Sequence, residues 1–179
     1  MIDIPEGRRE RHLLFGRIDS AFKSGDFDTL QAIFGDEVDW PDRQMPFELG
    51  LGRPLEYAVY WSPLAFIARL IEAGADATAA DDAGFPALIA ALSTSRPDRL
   101  DIVRLLIERG SDLNQRGVND WTPLHYAVSL RDAEAVRLLV EAGADPSLRT
   151  RIDDHSTPLE DAERMGFSEG VELLSEVIH

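Results

Sequence analysis

The chain has 179 residues, the length of one compact domain or one repeat array. It carries 18 Lys+Arg against 33 Asp+Glu, a net charge of −15, and a surplus of that sign excludes nucleic acid and an anionic membrane surface as partners. With no cysteine, disulfides, thiolate metal sites and a cysteine nucleophile are excluded too.

Residues 1–9 mix acids, a proline and arginines, which is not the pattern of a secretory leader. The most apolar stretch, 55–71, is broken by Glu56, Pro63 and Arg69, so it is not expected to span a bilayer. A cytoplasmic location is expected. Residues 18–34 form a degenerate helix pair: Ala21 at the helix contact, Gly25 in the turn, and Leu30, Ile33 and Phe34 as the second helix's apolar stripe. Residues 35–52 are then a long excursion containing Pro41, with Trp40 closing the N-terminal unit.

From residue 53 a pattern repeats. Leu70-Ile71-Glu72-Ala73-Gly74, Leu106-Ile107-Glu108-Arg109-Gly110 and Leu139-Val140-Glu141-Ala142-Gly143 end alike, with glycines 36 and 33 residues apart. Upstream lie Arg53-Pro54-Leu55, Pro86-Ala87-Leu88, Thr122-Pro123-Leu124 and Thr157-Pro158-Leu159, with alanines at 58, 91, 127 and 162. Proline fits the first helical position, where its missing N–H would have had no partner. A preceding threonine caps the helix, and alanine lets two short helices approach. Apolar residues at 67, 70 and 71, at 103, 106 and 107, and at 136, 139 and 140 make the stripe of a second helix. Each glycine falls just past that helix, where a left-handed residue is wanted. Arg53 replaces the capping threonine in the first copy, and the second has about three extra residues around 93–98. Residues 167–178 give a final helix with Glu169, Glu172 and Glu176 outward.

A period near 33 residues with a turn and two helices resembles the ankyrin-repeat family. Residues 121–145 carry the closest match, and the resemblance covers roughly 12–178. It implies an all-α repeat solenoid of helix-turn-helix units with short β-hairpin fingers. The chain is then a single domain, with a cap repeat and long loop at 12–52 and repeats at 53–81, 82–117, 118–152 and 153–179. A finger tip in this family needs positive φ. Gly84, Asp120 and His155 suit that need, and Leu51 does not, so the finger at 48–52 is expected to be irregular.

No catalytic constellation emerges. The histidines at 12, 125, 155 and 179 show no metal-ligand spacing, and the resemblance gives His125 a structural hydrogen bond in its Thr-Pro-Leu-His turn. The pairs Asp81-Asp82 and Asp153-Asp154 lack the spaced ligands of a calcium loop. Gly50-Leu51-Gly52 lacks the lysine and third glycine of a phosphate cradle. No cofactor, metal or enzymatic activity is expected, and a hydrolase or metal-dependent activity using the paired aspartates is the remaining enzymatic alternative.

The resemblance implies a binding face built from finger tips and inner-helix ends. The residues mapped there are Asp82, Phe85, Asn119, Asp120, Trp121 and Asp154 on fingers, and Tyr60, Trp61, Ser129, Leu130, Arg131, Arg164 and Met165 after inner helices. Phe85 and Trp121, at equivalent places, should project on one side, and large aromatics suit binding hot spots. A row of finger carboxylates would steer a basic partner in. The expected function is therefore a monomeric, non-catalytic module that grips a protein partner of basic charge. The alternative is an acidic inhibitor that occludes a basic toxin or enzyme, a role some bacterial members of the family fill.

Overall fold

The computed structural model describes residues 4–35, 39–42, 45, 52–78, 85–117, 119–152 and 154–178. Their helices fall into five pairs: α1 (Arg8–Ser24) with α2 (Phe27–Phe34), α3 (Pro54–Trp61) with α4 (Leu64–Glu72), and α5 (Ala87–Ser93) with α6 (Arg99–Glu108). Then come α7 (Pro123–Ser129) with α8 (Ala133–Glu141), and α9 (Pro158–Arg164) with α10 (Ser168–Ile178). The first helix of each pair packs on the next in an inner layer, α1–α3–α5–α7–α9, and α4 on α6 and α8 on α10 line the outer layer.

Local chemistry sets the helix ends. Thr122 and Thr157 accept from the third backbone N–H of α7 and α9, and the side chains of His125 and Glu160 return the bond, closing capping boxes. Arg53 makes no such bond before α3, and Pro86 stands uncapped before α5. Gly74, Gly110 and Gly143 take φ of 113°, 88° and 97°, the left-handed exit their position demands. Asp120 and His155 hold positive φ at the fingers as the sequence predicts. Leu51 and Gly84 lie outside the described residues. Among the described residues the fingers form no strand. The third and fourth close through a backbone bond, Gly117 N–H to Trp121 O at 2.9 Å and Thr150 N–H to Ser156 O at 3.0 Å, and so short a loop leaves no length for a ladder.

Burial follows the repeat. Ala58, Ala91, Ala127 and Ala162 are wholly buried at the inner-layer contact. Ile67 and Leu70, Val103 and Leu106, and Val136 and Leu139 fill the outer-layer core, with each further stripe residue half-buried. Each fully buried side chain of this size contributes about 1.5–3 kcal/mol. The N-terminal unit is aromatic: Phe22 meets the rings of Tyr57 and Phe66 edge-on at 5.0 and 5.7 Å, and Trp40 stacks on Phe34 at 4.9 Å. Its first helix starts at Arg8, well before the predicted pair at 18–34.

The extra residues in the second copy have a structural task. Arg96 turns back from the loop between α5 and α6 and donates to the carbonyls of Val59 and Ser62 at 3.2 and 2.7 Å, closing the C-terminus of α3. The Asp98 carboxylate holds its other edge, Nε at 2.9 Å and Nη2 at 2.7 Å. Arg131 does the same for α9 from a left-handed position, donating to Met165 O and Gly166 O at 2.8 and 2.9 Å.

Candidate partner-binding face

The buried alanines set a register for the residues after them. Two and three places on stand Tyr60 and Trp61, Ser93 and Thr94, Ser129 and Leu130, and Arg164 and Met165. These ends adjoin along the stack: the Tyr60 hydroxyl lies 3.2 Å from Ser93 Oγ, and the Arg131 bond ties the end of α7 to Met165. Lys23, two places after Ala21, extends the row, with its ammonium 5.3 Å from the Trp61 ring centroid. Trp61 is 55% exposed, Leu130 51%, and Tyr60 and Met165 37% each. Large side chains this open are surplus to the core, and here they recur at one position of the repeat. Ser93 and Thr94 interrupt the apolar row with hydroxyls.

The finger aromatics lie on one side, as expected. Phe85 and Trp121 share the wall of a cleft with Ile89, Asn119 and Tyr126, and the Trp121 ring meets Tyr126 edge-on at 6.0 Å. Both are half-buried. The cleft holds about 60 Å³, far below the few hundred Å³ a small-molecule ligand needs. It accepts at most one protruding side chain.

The charged members are arranged differently from the predicted open row of carboxylates. Asp120 is 6% exposed. Its left-handed backbone turns the carboxylate inward, where Arg116 Nη1 donates at 2.8 Å and Arg151 Nε and Nη2 at 2.8 and 2.6 Å. Hydrogen bonding from Arg151 holds its carboxyl below the ordinary range. Asp154 is exposed but paired with Arg164, which also bonds Asp161. Asn119 is exposed at the finger tip, and Asp82 lies outside the described residues. Arg131 spends its guanidinium on helix-terminal carbonyls and stands 5.7 Å from the Phe167 ring.

The structure thus gathers Tyr60, Trp61, Ser129, Leu130, Arg164 and Met165 along the inner-helix ends, and Phe85, Asn119 and Trp121 beside the finger cleft. It withdraws Asp120. Sequence reasoning missed Lys23, although its place two after Ala21 carried the signal. It also missed Ile89 and Tyr126, whose helical spacing reads only as core.

His125 joins the units rather than facing a ligand. Its Nε2 lies 3.0 Å from the carbonyl oxygen of Ser156 in the next finger, and its Nδ1 lies 2.8 Å from Thr122 Oγ1. A carbonyl only accepts, so Nε2 carries the proton and Nδ1 accepts from Thr122. Burial pushes its pKa below the ordinary value. Among the described residues no group of three metal-ligating side chains comes together, and no helix is long and apolar enough to cross a membrane.

Among the described residues, five helix pairs thus stack in register. A family model described as ankyrin repeats (3 copies) matches residues 55–150 and 98–178. The chain belongs to the ankyrin-repeat family. Relatives include an ankyrin repeat protein of Acanthamoeba polyphaga mimivirus, 31% identical over 97 residues, which are 54% of this chain and 13% of the relative. An intracellular phospholipase A2 of Caenorhabditis elegans is 31% identical over 99 residues, 52% of this chain and 9% of the relative. Protein phosphatase 1 regulatory subunit 12A of Rattus norvegicus is 32% identical over 79 residues, 44% and 8%. The chain matches only a small part of these relatives' length, so the likeness extends to the repeat segment. Ankyrin repeats are general protein-interaction modules, and stacked repeats of this kind present extended concave surfaces to macromolecules.

Proposed function

We propose that this chain is a non-catalytic module that binds one protein partner, as a monomer in the cytoplasm, across its inner-helix ends and finger cleft. The observation that carries the reading is the recurrence of exposed Trp61, Leu130 and Met165 at one position of the repeat. Such a row offers a partner several apolar anchors at fixed spacing, with Phe85 and Trp121 adding a slot for one more. Asp82, Asn119 and Asp154 would act as rim contacts.

The partner in this reading is basic. Residues 153–179 hold eight acids against one arginine, so a cationic surface is drawn toward the α9–α10 end. The same features favour an inhibitor or immunity-type role, in which the chain occludes a basic toxin or enzyme.

Affinity capture with wild type, Trp61→Ala and Leu130→Ala tests the reading. The expected result is one basic protein held by wild type and lost from both variants while their thermal unfolding stays unchanged. Equal recovery by all three would refute the proposed face. A captured partner of acidic charge would refute the inhibitor role.

A further inference from the structure

The end units of a repeat stack each have one face that no neighbouring unit covers. At the first unit this face is an open groove of about 560 Å³ between α1 and the start of α2, with Leu13, 59% exposed, on its wall beside Gly16, Arg17 and Ser20. One unit later the place of Ser20 is taken by Tyr57, whose ring packs on Phe22 of the preceding unit and whose hydroxyl donates to Asp19 at 2.5 Å. The groove is therefore the side of the unit that, elsewhere in the stack, receives the unit before it.

The opposite end is chemically the converse. Glu163 stands exposed where the earlier units place Phe22, Val59, Leu92 and Val128, all buried to within 1%. Glu172, also exposed, occupies the place from which Arg104 reaches forward to Glu134 of the following unit at 3.3 Å. Within a chain of net charge −15, α1 carries five cations against two acids, whereas residues 153–179 carry eight acids against one arginine. Solubility favours acids over bases, but it would favour them at both ends alike and does not account for the cations of α1.

We propose that the α1 groove receives the Glu163–Glu172 end of a second copy, so that copies associate end to end along the axis of the stack. Arg9, on the same stripe of α1 as Leu13 and Gly16, and Arg17 then face the carboxylates of Glu163 and Glu172. The contact uses the two end faces of the stack, Ser24 of the first inner-helix end included, and leaves the inner-helix ends of the middle units, Tyr60, Trp61, Ser129 and Leu130, open to a partner.

Sedimentation velocity of the full chain over a concentration series tests this. At about 0.05 M salt the weight-average sedimentation coefficient rises with concentration, and at about 0.5 M salt, where the Debye length is a few Å, the rise disappears. Arg9→Glu with Arg17→Glu weakens association at least tenfold, Glu163→Arg with Glu172→Arg does the same, and an equimolar mixture of the two variants regains it. A monomer at every concentration in low salt overturns the proposal. So does association indifferent to both charge reversals, which would place the contact elsewhere. Binding of an acidic helical peptide in the groove, without self-association, would assign the groove another occupant and overturn it as well.

Discussion

Arg151 reaches from the fourth finger to the buried carboxylate of Asp120 at the tip of the third, Nη2 to Oδ1 at 2.6 Å, while Arg116 approaches the same carboxylate from within the third finger. The pair crosses a repeat boundary. Arg116 also donates to Arg149 O at 2.8 Å, and Arg149 grips Glu160 with two bonds of 2.7 Å, so the last two fingers are one connected network.

Asp120→Asn is the direct test of that network. Asparagine tolerates the left-handed backbone at this position, so the substitution isolates the loss of charge. Hydrogen bonds to charged groups contribute about 1.5–3 kcal/mol each, discounted here because Arg151 is largely exposed, and a net loss of about 2 kcal/mol is expected. Urea denaturation reads it as a lower midpoint at constant slope. An unchanged midpoint would mean that the network contributes nothing to stability.

Arg96 makes a similar prediction at the other end. Arg96→Ala leaves the Val59 and Ser62 carbonyls without their guanidinium donor and should cost about 1–2 kcal/mol. Arg96→Lys should restore little of it, because an ammonium cannot span two carbonyls and the Asp98 carboxylate together. Hydrogen exchange at the amides of residues 59–62 should quicken in both variants. Protection equal to wild type in Arg96→Ala would show that the inserted loop does not close α3.

His125 gives the chain a pH dependence with a definite sign. Its folded pKa is lowered by burial below the unfolded value, which is near 6.5. The unfolded chain therefore binds the proton first, and the contribution of His125 is complete above about pH 6.5 and declines as pH falls toward the folded pKa. Thermal melts between about pH 7.5 and 5 should show this decline in wild type and a flatter profile in His125→Asn. Identical slopes in the two proteins would contradict the assignment.

Gly143→Ala separates conformation from packing. A β-carbon built at Gly143 meets nothing within 4 Å, yet φ is 97°. The penalty is then backbone strain alone, on the order of 1–2 kcal/mol. Thermal unfolding should report it, with Gly143→Asn costing less than Gly143→Ala. Equal stability of the alanine variant would show that the helix exit relaxes to negative φ.

The helix pairs, the capping threonines, the wholly buried alanines and the left-handed exits were legible in the sequence because each depends on neighbours within a few residues, and the repeat displays every one of them several times. Phe85 and Trp121 were placed on one side by the same logic, since equivalent positions in a stack point alike. The tertiary structure alone decided what the charged side chains do. Asp120 reads as an exposed finger acid until Arg151, 31 residues on, folds over it, and Arg96 reads as loop until the C-terminus of α3 comes within its reach. A guanidinium extends several bonds from its backbone and finds a partner by spatial proximity, which periodicity along the chain does not encode. Local sequence thus determined where the units begin, turn and pack, and the distances between units determined which charges remain for a partner.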